Sequence, residues 1–203
     1  MTQADFSFAV LRHGATSWNV EGRIQGHSDI GLLPETCDQL HKLQIPGEWV
    51  ERPWYTSPLK RTHETLTALG VPPVGVLPAF VEMNWGQWEG RKLRDLRAEL
   101  GDAMTQNEDR GWDFRPEGGE SPRDVLARIV AFLARRQGGD FGVTTHKGVI
   151  RALYAHTRGW NMMGKSPDKL QWDALHVFHW SHGSGLSVSQ LNIPLMAREG
   201  TPQ

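Results

Sequence analysis

Two histidines follow short apolar segments of this sequence directly. Residues 6–11 (FSFAVL) lead into the tripeptide 12–14 (RHG), and residues 141–145 (FGVTT) lead into His146. A neutral imidazole can act as a nucleophile, and an adjacent arginine offers a planar fork that matches phosphate oxygens. The tripeptide alone is equally typical of a structural turn, because glycine permits a sharp reversal. The chemistry these residues suggest is phosphoryl transfer to a histidine.

The surrounding elements predict where these histidines lie. Apolar patterns and turn residues predict strands over 6–11, 54–57, 141–145, 174–180 and 186–193, with an irregular or edge strand over 74–81. They predict helices over about 34–45, 58–69, 92–100, 121–137 and 147–156, and leave 102–120 unassigned. This alternation predicts an α/β fold, a three-layer sandwich with a mostly parallel central sheet flanked by helices. Such sheets bind ligands at the carboxyl ends of their strands, where both histidines are expected.

The residues around the first histidine extend the pattern. The segment LRHGATSWNVEGRIQGHSDIGL resembles the opening signature of the histidine phosphatase superfamily, also called phosphoglycerate mutase-like. The matching residues are Arg12, His13, Gly14, Thr16, Trp18, Asn19, Gly22, Arg23, Gln25, Gly26 and Asp29. Agreement over so many positions makes a chance match remote.

Three further segments resemble the rest of the family pattern in the same order. YTSPLKRTHETL places the family's second phosphate-binding arginine at Arg61, VEMNWGQWEG places its proton donor at Glu82, and TTHKGVIRAL places its second histidine at His146. GGESPRDVLAR also matches a helix entry of the family. The resemblance therefore covers about residues 8–157.

The resemblance implies phosphoryl transfer without a metal or other cofactor. Its catalytic residues would be His13 as nucleophile and Glu82 as proton donor, with Arg12, Arg61 and His146 as donors to the phosphoryl oxygens. Two nearby arginines should lower the pKa of His13 and keep its ring neutral. A bound phosphate dianion should favour the protonated form of Glu82 that donates to the leaving oxygen.

Some residues have less certain roles. Asn19 is a further candidate phosphate ligand, and Lys147 stands where the family usually has glycine, so its cation points either into the pocket or away from it. Glu89 is expected to be structural. Three tryptophans inside the motifs are candidates to line the substrate mouth: Trp18, Trp85 and Trp88. The spacing of His176, His179 and His182 suggests a metal site, but residues three apart on a strand point to opposite faces, so no metal site is predicted.

Composition excludes several classes of function. The formal net charge of −1, with 22% charged and 38% apolar residues, gives no strong field toward nucleic acid or an anionic membrane. The sequence shows no run of about 20 apolar residues that would span a membrane, nor the basic and apolar regions of a signal peptide. A single cysteine, Cys37, cannot form an intrachain disulfide and is expected to be buried. We expect a cytoplasmic protein with one domain over 1–203, and a homodimer is left open.

The expected reaction is hydrolysis of a phosphomonoester, with a small phosphorylated metabolite as substrate and phosphate as product. Cofactor-dependent phosphoglycerate mutase-type transfer is the alternative. Mutases of the family usually carry a longer insertion with paired arginines, whereas the cap-like insertion here, at about 83–120, is compact. A catalytically inactive phospholigand-binding protein is a third reading, against which the full set of motif residues argues.

Overall fold

The computed structural model describes residues 4–198, and its largest feature is a six-stranded sheet. The strands are β1 (Phe6–Arg12), β2 (Leu43–Gln44), β3 (Trp54–Thr56), β4 (Gly75–Val76), β5 (Phe141–Thr145), β6 (Ala174–Ser181), β7 (Gly185–Pro194) and β8 (Met196–Ala197). The large sheet has the order β4-β3-β5-β1-β6-β7, and β2 pairs with β8 in a separate two-stranded sheet. The α/β fold with a mostly parallel central sheet is thus confirmed.

The strand directions bring three chain segments to one edge of the sheet. Strand β5 runs parallel to both β1 and β3, with Arg12 opposite Thr145 and Thr56 opposite Thr144. Strands β6 and β7 continue the sheet antiparallel beyond β1. The residues that follow β1, β3 and β5 therefore leave the sheet side by side at its carboxyl edge, the edge at which such sheets bind ligands.

Helices cover both faces of the sheet. They are α1 (Ser17–Glu21), α2 (Pro34–Leu40), α3 (Lys60–Ala68), α4 (Leu93–Leu100), α5 (Asp102–Glu108), α6 (Pro122–Leu133) and α7 (Lys147–Arg158), with short 3₁₀ turns at Gly47–Glu51, Pro78–Phe80, Gly86–Trp88 and Gly111–Asp113. Helix α6 begins at the predicted place, because Ser121 and Asp124 form a capping box there. No helix within residues 4–198 is long and apolar enough to cross a membrane.

Alternation along β1 divides the core into two apolar clusters. Phe8 and Val10 belong to a cluster with residues of α6 and α7, whereas Ala9 and Leu11 belong to one with residues of α2 and α3. Successive side chains of a strand point to opposite faces, so the same strand buries apolar surface under both helical layers. This packing gives the predicted three layers.

Several predicted boundaries are wrong in informative ways. The helix expected over 34–45 ends at Leu40, because Leu43–Gln44 pairs with Met196–Ala197, about 150 residues away in the sequence. Cys37 on this helix is half-buried rather than buried. The extended segment 74–81 keeps only two residues of edge strand before turning into the 3₁₀ helix Pro78–Phe80.

Residues 83–120 fold beside the sheet around their own small apolar cluster. Trp88, Leu96 and Met104 are buried together there, with Trp85 and Phe114 packed against them. Helices α4 and α5 supply most of this segment, and α5 lies in the region for which the sequence predicted no element. That the segment serves as a cap over the substrate remains a prediction.

Candidate active site

His13 is positioned directly after β1, with its ring held in one tautomer. The backbone N–H of His13 donates to the Thr145 carbonyl of β5 at 2.9 Å, and the ring Nδ1 lies 2.7 Å from the Gly14 carbonyl oxygen. A carbonyl oxygen can only accept, so Nδ1 carries the proton of the neutral ring. The other ring nitrogen, Nε2, therefore keeps its lone pair and can act as a nucleophile.

His146 follows the neighbouring strand β5, and its ring centroid lies 5.2 Å from that of His13. The side chain is fully buried, and its Nε2 lies 2.7 Å from the Ser57 hydroxyl oxygen. The hydroxyl of Thr62 donates to the Leu59 carbonyl at 2.8 Å, so it has no hydrogen left for Ser57. We assign the Ser57 hydrogen to Nε2 of His146, its shorter contact, which leaves the ring proton on Nδ1.

Arg61 lies on the first turn of α3 and is fully buried. Its Nη1 donates to the Ser28 carbonyl and its Nη2 to the Gly26 carbonyl, both at 2.8 Å. These two bonds use one hydrogen on each terminal nitrogen and leave three N–H groups of the guanidinium available. The loop after α1 thus fixes the orientation of Arg61 through its backbone.

The loop is itself held by the carboxylate of Glu89. The carboxylate accepts the backbone N–H groups of His27 and Ser28, each at 2.7 Å, and the Ser28 hydroxyl at 2.6 Å. Gly26 has a φ of +55°, and a Cβ at this position would lie 2.0 Å from a Glu89 carboxylate oxygen. Glu89 therefore has the structural role expected from the sequence, and it acts on the site through the carbonyls that bind Arg61.

Three buried N–H groups near His13 have no hydrogen-bond partner among the described residues. They are Nε of Arg12, Nε of Arg61 and Nδ1 of His146. Buried polar groups are almost always satisfied in folded proteins, because an unpaired donor costs free energy. Three such donors in one pocket indicate a site for an oxyanion.

Glu82 lies beside these donors and is nearly buried. Its Oε1 accepts the N–H of Met83 at 2.8 Å, and its Oε2 accepts the N–H of Gly148 at 3.3 Å. Its backbone carbonyl accepts from His27 Nε2 at 2.8 Å and from Arg128 Nη2 at 3.2 Å. Both the carboxylate and the main chain of Glu82 are thus fixed, and each carboxylate oxygen keeps a lone pair for a proton.

The charges of the site act on one another. Burial above all, then Arg61 and Arg12, lowers the pKa of His13 well below its ordinary value of about 6.5. The expected influence of the arginines is present, but desolvation is the larger cause. Burial first, and then the charges of His13 and Arg61, also lowers the pKa of His146, so both rings are neutral near pH 7.

Two further predicted ligands lie at the edge of this pocket. Asn19 Oδ1 accepts from the backbone N–H and the hydroxyl of Thr16 in a capping box for α1, which leaves its Nδ2 amide to reach a phosphate. Lys147 is exposed, and its Nζ lies 5.0 Å from the centroid of the Trp172 ring. Roles for these two residues in binding phosphate remain predictions.

The residue after Lys147 explains how α7 approaches the carboxylate. A Cβ at Gly148 would lie 2.3 Å from Oε1 of Glu82, so only glycine fits there. Lys147 occupies a position where the family usually has glycine, yet the close approach depends on the next residue, which is glycine in this chain.

The three motif tryptophans take different places. Trp85 lines a cavity of about 520 Å³ together with Met83 and Gly148. Trp88 is buried in the small cluster of residues 83–120, and Trp18 packs near Gly90. Trp85 is thus the only one of the three placed beside the cavity that adjoins Glu82.

The histidine series near the C-terminus does not gather. His176 donates from Nε2 to the Gln171 carbonyl at 3.0 Å and accepts the Asn192 N–H on Nδ1 at 3.3 Å. His179 instead lies 3.2 Å from the Ser7 hydroxyl through its Nδ1. Within residues 4–198, no group of three or more His, Cys, Asp or Glu side chains is arranged to hold a metal ion.

One residue at the site went unnoticed as an individual contributor. Ser57 lay within a quoted motif, but its contact with His146 joins residues 89 positions apart. The available signal was its position directly after β3, whose carboxyl end adjoins that of β5.

Fold and site together define an α/β protein with a cationic pocket built from two histidines and two arginines at the ends of parallel strands. A family model of the histidine phosphatase superfamily (branch 1) matches residues 8–193. The chain belongs to this superfamily, as its motifs indicate.

Known proteins of this kind include both mutases and phosphatases. The chain is 32% identical over 163 residues to phosphoglycerate mutase-like protein 4 of Arabidopsis thaliana, covering 73% of this chain and 70% of the relative. It is 30% identical over 162 residues to a 2,3-bisphosphoglycerate-dependent phosphoglycerate mutase of Methylobacterium radiotolerans, covering 71% and 75%. The solved structure of a mycobacterial glucosyl-3-phosphoglycerate phosphatase superposes with a TM-score of 0.71 at 26% identity, covering 93% of this chain and 99% of that one.

Proposed function

We propose that the protein hydrolyses phosphomonoesters of small metabolites through a phosphohistidine intermediate on His13. The observation that carries the proposal is the set of three buried N–H groups, on Arg12, Arg61 and His146, that no described residue satisfies. A transferring phosphoryl group spreads negative charge over three equatorial oxygens and needs positioned donors. The pocket offers these donors beside the unprotonated Nε2 of His13.

The reaction follows from this arrangement in two steps. In the first, His13 Nε2 attacks phosphorus, the bond to the ester oxygen breaks, and that oxygen takes a proton from Glu82. In the second, Glu82 removes a proton from water as the water oxygen attacks phosphorus. The bond to Nε2 then breaks, which releases phosphate and restores the lone pair of His13. Arginines supply the positive charge that a metal ion supplies in other phosphoryl-transfer enzymes.

The arginines of residues 83–120 favour hydrolysis over mutase chemistry. Arg91 pairs with Glu99, Arg97 with Glu108 at 2.7 Å, and Arg115 with Asp124 at 2.5 Å. These pairs leave little free positive charge in this segment to bind the carboxylate of a phosphoglycerate. Mutase-type transfer remains the second candidate, because relatives at 30% identity carry that name.

The deciding experiment measures turnover of p-nitrophenyl phosphate in excess chelator. We expect full activity in the chelator, since the site stabilises the phosphoryl charge with its own side chains. Activity that disappears with the chelator and returns with a divalent ion would contradict the mechanism. Tight phosphate binding without turnover would instead identify a phospholigand-binding protein.

A second assay separates hydrolysis from transfer. The protein is incubated with 3-phosphoglycerate, with and without 2,3-bisphosphoglycerate, and both released phosphate and 2-phosphoglycerate are measured. Hydrolysis predicts phosphate release without isomerisation. Formation of 2-phosphoglycerate that depends on the bisphosphate, at a rate above phosphate release, would assign the protein to the mutases.

A further inference from the structure

A second cavity, of about 630 Å³, opens beside helix α7. Its wall includes two cations of α7, two lysines of the following loop and two indoles: Lys147, Arg151, Lys165, Lys169, Trp160 and Trp172. This volume is within the usual range for small-molecule sites. Neither the motifs nor the reaction steps account for the cavity.

Acidic groups among the described residues do not neutralise the positive charge of this cavity. Asp168 is the one acidic side chain in the described part of its wall, and its Oδ2 already accepts from the Tyr154 hydroxyl and from Arg158 Nε, each at 3.1 Å. Within residues 4–198, none of the four lining cations forms an ion pair. The cavity is therefore a strongly cationic concavity in a chain whose formal net charge is −1.

Aromatic walls hold the two cations of α7. Lys147 Nζ lies 5.0 Å from the centroid of the Trp172 ring, and Arg151 Cζ lies 5.3 Å from that of Trp160. Such contacts orient a cation while leaving its N–H groups to donate elsewhere. Burial first, and then the charges of Arg12 and Arg151, lowers the pKa of Lys147, so an anion bound there would relieve an unfavourable concentration of charge.

Helix α7 links this cavity to the reacting groups. Lys147 and Arg151 are four residues apart and so neighbours on one helix face. His146 directly precedes Lys147, and the next N–H along the chain, that of Gly148, donates to Glu82. Arg151 and Gly148 also line the cavity of about 520 Å³ that adjoins Glu82. A substrate whose ester oxygen lies at Glu82 can therefore extend its other end toward Arg151 and Lys147.

We propose that Lys147 and Arg151 bind a second anionic group, a carboxylate or a phosphate, at the end of the substrate remote from the scissile bond. The inference rests on the proposed function, because it assumes that the scissile phosphoryl group lies at His13. It narrows the substrate class to phosphomonoesters that carry a second anion.

The experiment uses alkylphosphonates, which bind like phosphate esters but cannot be hydrolysed. Probes with chains of three to six carbons end in a hydroxyl, a carboxylate or a second phosphonate, and dissociation constants are measured by calorimetry on the full chain. Charge-assisted hydrogen bonds correspond to about tenfold or more in affinity. We expect a terminal anion to tighten binding by at least about tenfold over the hydroxyl probe at one chain length or more. The carboxylate and phosphonate arms identify which anion the subsite prefers.

Substitutions assign that preference to the two cations. Lys147→Gln and Arg151→Gln should each reduce the ratio of affinities between hydroxyl and anionic probes, and the double variant should bring it close to one. Lys42→Gln removes an equal charge from an exposed position that lines neither cavity, and it should leave the ratio intact. Circular dichroism confirms that each variant is folded.

The outcomes separate this inference from the proposed function. Equal affinity for all three terminal groups at every chain length overturns the subsite, as does an anion preference that survives the double substitution. A failed proposed function would appear as absent chelator-resistant turnover of p-nitrophenyl phosphate. Phosphonate affinities remain measurable in that case and still decide whether the second anion is bound.

Discussion

The two ends of the site are built in different ways. At the phosphate end, meaning Arg12, His13, Arg61 and His146, hydrogen bonds to backbone carbonyls or to a hydroxyl orient both rings and the Arg61 guanidinium. At the leaving-group end, meaning the two cavities beside α7, Lys147 and Arg151 rest against indole rings. Hydrogen bonds fix direction, whereas cation–π contacts constrain it less.

The difference suggests a division of tasks. Phosphoryl chemistry is the same for every phosphomonoester, so its groups can be held rigidly, and preorganised donors stabilise developing charge most effectively. The remainder of the substrate varies, and more loosely held cations can adapt to it. Substitutions at the phosphate end should therefore slow every substrate, whereas those at the leaving-group end should change the preference among substrates.

The largest expected effect is at the nucleophile. His13→Ala should lower turnover by at least about 10⁴-fold for any phosphomonoester, because no other neutral ring has its Nε2 free beside the three donors. A rapid quench with labelled substrate should trap an alkali-stable, acid-labile phosphoryl group on His13 of the unsubstituted protein. His156→Ala, at an exposed position on the last turn of α7, is the control. Appreciable activity in His13→Ala would remove the basis of the assignment.

The next effect lies where the two ends meet, at Glu82. Glu82→Gln should slow phosphoenzyme formation from an alkyl phosphate by about 10²–10⁴-fold, because the alkoxide needs a proton. Nitrophenolate leaves readily without one, so p-nitrophenyl phosphate should give a burst of nitrophenol followed by slow turnover as dephosphorylation loses its base. Glu117→Gln, an exposed carboxylate of the neighbouring segment, is the matched control.

An equal slowing of phosphoenzyme formation for both substrates would mean that Glu82 is not the acid. Glu89 is the other carboxylate of the same motif, but its oxygens accept backbone N–H groups of His27 and Ser28. Its substitution should instead disturb the loop that orients Arg61. Glu89→Gln is therefore expected to slow alkyl and aryl substrates alike, in contrast to Glu82→Gln.

A smaller effect is expected for one donor of the phosphate end. Arg61→Ala should lower kcat by about 10²–10³-fold, by analogy with the loss of a single oxyanion donor. The factor should be similar for alkyl and aryl phosphates, since the phosphoryl oxygens carry charge in both cases. Lys60→Ala, the exposed neighbour on α3, provides the comparison. A factor that varied strongly with the leaving group would show that Arg61 acts at the other end of the site.

Sequence analysis succeeded where function depends on short, local segments. The strands that precede His13 and His146, the capped start of α6, and the motif positions of Arg61 and Glu82 can be read within about ten residues. Parallel pairing of β1 with β5 then places the two histidines together, as expected from strands that end at one edge. The phosphate end is thus largely readable from the sequence.

The remainder depends on contacts between distant residues. Ser57 meets His146 across 89 positions, and the carbonyls that orient Arg61 lie 33 and 35 positions away. The cationic cavity combines α7 with a loop that carries no motif, so the role of Lys147 could not be decided from its neighbours. Local patterns do not encode such contacts, because tertiary packing selects them.

The smallest effect concerns stability, and it comes from keeping buried rings neutral. Burial is the leading cause that lowers the pKa of His13, His146 and His176, whereas in the unfolded chain each titrates near about 6.5. As pH falls below that value, the unfolded chain binds protons that the folded protein excludes. The free energy of unfolding should therefore be highest above pH 6.5 and decrease on acidification, by at most about 1.4 kcal/mol per pH unit for each ring. Urea unfolding at pH 7.5, 6.5 and 5.5 measures this slope, and His146→Gln should reduce it. Carboxylates with lowered pKa values begin to protonate in the unfolded chain only near pH 4, outside this window. A stability that is constant or rises from pH 7.5 to 5.5 would show that the site histidines accept protons in the folded protein, which would contradict a neutral nucleophile.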